Sequence, residues 1–562
     1  MNSPAATETG TRLPEPGYSA AAHPDAAEPA NARPAALPTW LDRWLEAASE
    51  RLNPILVKET RQALKSPQFV LWFLVLLAAC WVVTIGGIAW IGPGVHYAAS
   101  GGILFLAYYF ILAAALVVVV PFAAYRSLAS EQEDNTRDVL MVSALTPRQV
   151  IDGKIGSATL QIVVYLSALA PCIAFTYLLR GIDLLTILLL PGLAVLASVG
   201  LSMLGLVLAS ATRQRYSQVL TSVALVATLL GVCYWCQLAA VGAVREGYLV
   251  YRQPGFWMAV AAGLTAYGCA LLLAYFGAAA MNAFASANRS TALRRALFVT
   301  QACFVGWIAV AWVYYDLDRQ ALISAAPMGW VFWLFAGALL TSERPILSER
   351  VRRGLPTTPF GRFFTTWFNP GPGTGYLFVA ANLASLLLLA LAGMFVTPVG
   401  RLAFENELGF IVLGAAYVVG MLGVARLIIL GLRRFATLSL LGGFLVNFLL
   451  LLGSAGLPEL IRASVTRIGR MPFSWYDVVS PVRVLDVIIN DKVGSLDLQI
   501  LLIVVPGVSA CVLLINTLLA ASEIQQTRVP LPQRVIEDDR LLDPTHGRPV
   551  NPWGDAPADA AT

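Results

Sequence analysis

RSLASEQEDNTRDVLMVSALTPRQVIDGK, residues 126–154, is a charged segment set between two long apolar runs. The flanking runs, 101–124 and 155–179, contain no Asp, Glu, Lys or Arg, and each exceeds the ~20 residues an α-helix needs to cross a bilayer. The segment between them carries two helix-start signals. Ser130 and Glu133 have capping-box spacing, and Thr146-Pro147-Arg148-Gln149 combines a Thr cap, a Pro at the first helical position and Gln at the third. Between the signals, Val139, Leu140, Val142 and Leu145 give a short helix an apolar side, while Asp134, Arg137 and Asp138 stay wet. The expectation is a short helix, a break at 144–146, and a second helix running straight into the membrane. Such a knuckle can pass a push from a partner to a transmembrane helix. On physics alone it reads equally as an ordinary loop between two spans.

Composition agrees on class. Hydrophobic residues make up 58% of the 562 and charged residues 13%, which predicts an all-α polytopic membrane protein. The net charge of +5 is carried in loops of one side, so no nucleic-acid partner is expected. All seven cysteines fall inside apolar runs, where a thiol behaves as a small hydrophobe. Cys233-x-x-Cys236 lies within a span with no second pair, which favours packing over metal or redox chemistry. His23, His96 and His546 are scattered through tails and a short loop, so no metal or catalytic cluster can be assembled. No Walker A motif is present, and the Gly-Pro run Asn369–Gly375 lacks the Gly-Lys-Ser/Thr ending of a phosphate loop. The chain is therefore not expected to be an enzyme or to bind a cofactor itself.

Residues 1–38 are rich in Ala, Pro, Glu and Thr and are expected to be disordered; they do not form a signal peptide. An amphipathic elbow follows over 39–68. Trp40 and Trp44 fall on its apolar face, Asn53-Pro54 caps a second short helix, and Lys58, Glu59 and Arg61 lie along that helix before Ser66-Pro67 ends it. Twelve spans are expected, near 69–91, 101–124, 155–179, 184–211, 216–243, 256–281, 296–315, 322–341, 376–397, 408–431, 435–457 and 499–522. They group as a six-span domain (69–281), two further spans (282–341), a linker (342–375), a four-span region (376–522) and a disordered tail (523–562). With both termini inside, the Lys/Arg-rich loops are cytosolic, as the positive-inside rule requires. Residues 458–498 strain that arrangement, because they fall outside with Arg462, Arg467, Arg470, Arg483 and Lys492; Trp475 and Tyr476 suggest that part of this loop rests on the membrane surface. The spans hold almost no ionisable groups, Arg426 being expected to snorkel to its near interface, which weighs against a secondary transporter. A first outer loop (92–100) without acids weighs against a membrane glycosyltransferase.

Two segments carry a family likeness. Glu131-x-Glu133-x-Asn135-Thr136, the run from Asp138 through Thr146-Pro147-Arg148, and Gly153-Lys154 together resemble the coupling region of ABC-2-type transporter permeases. Asn135 stands where the family usually has Gly, and Asn tolerates a left-handed turn better than other side-chain-bearing residues. Asn53-Pro54-Ile55-Leu56-Val57-Lys58-Glu59-x-Arg61-Gln62 is similar to the entry of the same family, where an elbow lies on the cytosolic leaflet. The resemblance covers about 40–281; the second half has no recognisable motif, although Asn369-Pro370 echoes Asn53-Pro54.

The resemblance implies the permease subunit of an ATP-driven exporter in the cell membrane, with ATP and Mg on a separate ABC-type ATPase subunit. Glu131, Glu133, Asn135, Thr136, Thr146, Pro147, Arg148 and Lys154 would face that ATPase. Two permease units are implied, as a homodimer, a heterodimer or a pseudo-dimer within this chain. The alternative is a non-transporting membrane scaffold using the same fold. An apolar translocation path has no diagnostic side chains, so the substrate is not legible.

Overall fold

The computed structural model describes residues 53–92, 99–133, 146–212, 214–247, 250–284, 287–315, 320–344, 358–396, 401–465, 475–490, 495–528, 534 and 537–538. Trp40, Trp44, Asn135, Thr136 and the short helix expected around Val139–Leu145 lie outside these residues. So does Leu52, which the sequence pairs with Val57 as a hydrophobic staple.

The elbow forms α1, Pro54–Lys65, capped by the Asn53 side chain, which accepts the Ile55 N–H at 3.1 Å. Ser66 ends α1 and caps α2, Pro67–Ile91, so a single residue joins elbow to membrane. The next spans are α3 (Gly101–Glu133), α4 (Pro147–Leu178), α5 (Leu184–Ala211), α6 (Arg215–Glu246) and α7 (Pro254–Asn282). The second half contains α8 (Thr291–Tyr314), α9 (Gln320–Thr341), the short α10 (Pro359–Thr366), α11 (Pro372–Val396), α12 (Arg401–Leu432), α13 (Leu440–Val465), α14 (Pro481–Ile489) and α15 (Ser495–Arg528). Twelve of these helices are long and apolar enough to cross a membrane, in the order the sequence predicts. No strand occurs among the described residues. The chain is an all-α polytopic membrane protein.

One boundary differs from expectation, and the strained loop does not. Ser130 does not start a helix: α3 continues through it to Glu133, and its hydroxyl bonds back to the Ser127 carbonyl one turn earlier. A span that continues past the apolar run keeps its backbone hydrogen bonds, and this outweighs the local capping alternative. In the strained loop no span is gained or lost. Residues 475–479 form a 3₁₀ turn, and α14 buries Val484, Val487 and Ile488 against α12, while Tyr417 donates to the Val478 carbonyl at 2.6 Å.

All of these helices belong to one unit, Asn53–Thr562. Two apolar cores fill the first half, one around Tyr108, Leu112, Tyr165 and Leu190, the other around Tyr125, Ile151, Leu206 and Leu229. A third, around Trp333, Phe378, Leu413 and Leu422, fills the second half. Each half has a buried pillar: 61% of the apolar window of α3 and 67% of that of α12 is enclosed, against 11% for α2 and 6% for α7, which form the rim. Leu71, Trp81, Val82 and Ile85 of α2 are exposed because lipid is their solvent. The pillar α3 contains a π-turn, Ala115–Val119. Pro121 has no N–H to return to the helix, so the ladder shifts register just before it, and the Ser198 hydroxyl supplies the Leu116 carbonyl from α5.

Successive spans alternate in direction, so the start of α2, the end of α3, the start of α4, the start of α8, the ends of α9, α12 and α15, and the start of α11 all share one side. We call this the near side.

Candidate functional site

At the near side, α1 lies across the first turns of α4. Their approach is closest at Gly153, where a Cβ would stand 2.5 Å from Ile55 Cγ2 and 3.0 Å from the Leu56 amide nitrogen, so no side chain fits. Asn53, already capping α1, also donates from Nδ2 to the Gln149 carbonyl. Gln149 in turn completes the second capping signal. Its N–H approaches Thr146 Oγ1 at 3.4 Å, and its Oε1 accepts the Thr146 N–H at 2.8 Å. The cap that the sequence places at Thr146-Pro147 is therefore present. Thr146→Ala should weaken it by about 0.5–2 kcal/mol, read as roughly two- to thirtyfold faster amide exchange at residues 148–150. Unchanged exchange there would mean that Asn53, not Thr146, holds the helix start.

Beneath this junction is a latch of three charges. Lys154, fully buried as a side chain, sends its ammonium to Glu59 of α1 at 3.2 Å, Glu131 of α3 at 3.0 Å and the Ser127 carbonyl at 3.2 Å. An ammonium has three protons to donate, and each finds an oxygen. One cation thus ties the elbow and the ends of two spans together. Glu59 and Glu131 are largely buried, with side-chain exposures of 10% and 16%.

This changes the reading of individual residues. Glu131 and Lys154 face inward and are occupied with each other, and Glu59, read as part of an amphipathic elbow, is the elbow's inner anchor. Glu133 stays exposed, 4.0 Å from Arg126. Arg148 is also exposed, its guanidinium 5.1 Å from the ring centroid of Phe276 on α7. Lys58 and Arg61 are exposed, Lys58 lying close enough to act electrostatically on Glu131. Pro147 and Pro54 each occupy the first helical position.

Sequence reasoning missed a second site at the near side of the other half. Arg426 does not snorkel. It is completely buried in α12, and its guanidinium meets Glu523 of α15 at 2.9 Å and Asn516 Oδ1 at 2.8 Å. Arg294 of α8 is equally buried and meets Glu343, just past α9, at 2.7 Å. Between the two pairs runs the Gly-Pro turn that leads into α11. Glu343 accepts the Gly371 N–H at 2.9 Å and Glu523 the Gly373 N–H at 2.7 Å. Arg294 also takes the carbonyls of Asn369 and Gly371 and the hydroxyl of Thr374. Gly373 is sterically required, since a Cβ there would lie 2.6 Å from Arg426 Nη2 and 2.7 Å from Glu523 Oε2. This Gly-Pro run, expected as the end of a linker, is thus a clamped keystone joining α8, α9, α11, α12 and α15.

At its edge Arg433 donates to the Ser342 carbonyl at 2.7 Å. Desolvation pulls its pKa below the ordinary arginine value, with Glu523 opposing. No group of three or more His, Cys, Asp or Glu side chains among the described residues is placed to hold a metal ion.

No family model, curated protein or solved structure matches this chain. Fold and site together define a class: a polytopic membrane protein, with twelve span-length helices among the described residues, whose two halves are each fastened on one side by buried ion pairs.

Proposed function

We propose that the chain is the membrane subunit of an ATP-driven ABC-2-type exporter in the cell membrane, its near side cytosolic, coupled to a separate ATPase through residues 126–154. The observation that carries this reading is the latch. Glu59, Glu131 and Lys154 join the elbow, the end of α3 and the start of α4 into one body at the two described ends of that segment. A partner pressing on the loop would move α4 and α1 together, because buried ion pairs with complete hydrogen bonding do not yield singly. Among the described residues of 126–154, the exposed groups are Arg126, Glu133, Thr146, Arg148 and Asp152, and Glu133, Thr146 and Arg148 are those the sequence assigns to contact. Exposed charges of this kind chiefly set association rate and partner choice.

The test is a double charge reversal, Glu133→Lys with Arg148→Glu, which spares the latch. Pull-down of the co-expressed ATPase should fall about tenfold or more, with normal membrane insertion and an unchanged melting profile. Retention of the ATPase at the parental level, together with parental substrate-stimulated hydrolysis in vesicles, would remove the coupling assignment. A non-transporting scaffold would then be the better reading.

A further inference from the structure

The outer face of the elbow plays no part in the latch and has its own pattern. Lys58, Arg61 and Lys65 recur at i, i+3 and i+7, which places them in one row on the helix. All three are exposed, and they border a shallow groove completed by Pro54, Val57 and Gln62. Val57, nearly half exposed, gives the groove an apolar floor. Among the described residues no carboxylate comes within ion-pair distance of any of the three, although Lys58 acts on Glu131 electrostatically from further away. The nearest acids are committed elsewhere, Glu59 and Glu131 to Lys154 and Glu133 to Arg126. A row of three like charges repels itself unless something anionic lies along it.

The position of the row identifies that anion. Ser66 alone separates α1 from α2, and α2 exposes Val70, Leu71, Trp72 and Leu74 within about its first two turns. That surface is the start of the lipid-facing rim, so the row of cations lies at headgroup depth of the near-side leaflet. We propose that Lys58, Arg61 and Lys65 form a binding site for an anionic phospholipid, the phosphate held by the cations and an acyl chain passing over Val57 towards the rim of α2. The inner face of α1 is fastened by Glu59, so the lipid seats against a helix that is already positioned. This inference is independent of any ATPase.

The test compares two triple variants of equal charge change in nanodiscs of phosphatidylcholine with a minor share of phosphatidylglycerol. Lipid retained after detergent extraction is read by native mass spectrometry. Lys58→Gln with Arg61→Gln and Lys65→Gln should lose phosphatidylglycerol enrichment by on the order of a hundredfold, at about 1 kcal/mol per cation near an anionic surface. Arg215→Gln with Arg295→Gln and Arg434→Gln removes three other exposed near-side cations and should retain the parental enrichment. If the elbow triple does not fold, Arg61→Gln alone carries the test with a loss of about fivefold. Equal losses in both triples would mean diffuse surface charge, and no loss in either would mean no site. Displacement of the lipid by inorganic phosphate would mean a soluble-anion site. Each of these three results overturns the proposal.

Discussion

Arg426→Met is expected to be among the most damaging single substitutions in the second half of the protein. Methionine fills most of the volume but leaves Glu523 as a buried carboxylate hydrogen-bonded to the Gly373 N–H, with only the more distant Arg433 to offset its charge. It also leaves Asn516 Oδ1 without the guanidinium it faces. Removing one partner of a buried pair costs about 3–5 kcal/mol, because the remaining charge is uncompensated. The loss would act on the keystone: once Glu523 swings out to find water, Gly373 loses its partner and the start of α11 loses its anchor between α12 and α15. The measurement is the apparent melting temperature in detergent, with the monodisperse yield, beside Arg295→Met as an exposed-arginine control. Arg426→Met should melt clearly lower and aggregate; adding Glu523→Gln should restore part of the loss, since an amide oxygen can still accept from Gly373 without burying a charge. An Arg426→Met protein that melts like its parent would show that the keystone holds without this pair.

Much of this fold was legible because lipid enforces simple rules. A span must be apolar and helical, so its number and order can be read from the sequence, and the twelve expected spans correspond one for one with those observed. Caps at Asn53 and Thr146 were legible because they depend on residues within three positions of one another, whereas Ser66, read only as the end of the elbow helix, also caps α2. The end of α3 was not, because Ser130 satisfies a local rule that the longer helix overrides. Distant charge pairs were the main loss. Glu59 and Lys154 are 95 positions apart, and Arg426 and Glu523 are 97 apart. A signal did exist: Glu59 follows Ile55 by one helical turn, on the face opposite Lys58, Arg61 and Lys65, and an acid on the apolar side of a short helix needs a cation across the contact. Arg426 offered the same signal, a charge well inside an apolar run, but snorkelling explained it without a partner. Snorkelling requires an unobstructed path to the interface, and α15 fills that path.

The latch and the keystone use different cations for a physical reason. Lysine is a point donor with three protons, suited to gathering oxygens that converge from three elements, as Glu59, Glu131 and Ser127 do. Arginine presents a flat fork, suited to an extended turn whose carbonyls and hydroxyl lie in a row, as Asn369, Gly371 and Thr374 do around Arg294. Lys154→Arg is therefore not a conservative change, whatever its charge.

Lys154→Met should free the elbow. The substitution leaves Glu59 and Glu131 as two buried acids facing the same vacated spot. Like charges in that position raise each other's energy in addition to the desolvation each already bears. The cheapest relief is for α1 to lift, because its remaining attachments are Asn53, Ile55 and the contact over Gly153, whereas α3 is a pillar enclosed along its length. Opening should therefore be local, and amide exchange in residues 54–65 should accelerate on the order of 10²–10⁴-fold, equivalent to about 3–5 kcal/mol, while exchange in α5 and α12 stays at the parental rate. Glu59→Gln with Glu131→Gln and Lys154→Met removes all three charges and should recover much of the protection. If loop and elbow move as one body under a partner, Lys154→Met should also lower substrate-stimulated ATP hydrolysis in vesicles without lowering ATPase pull-down, since Glu133, Thr146 and Arg148 remain exposed. Uniform acceleration through the whole chain would instead mean that Lys154 supports global stability, and parental exchange in 54–65 would mean that the elbow is held without it.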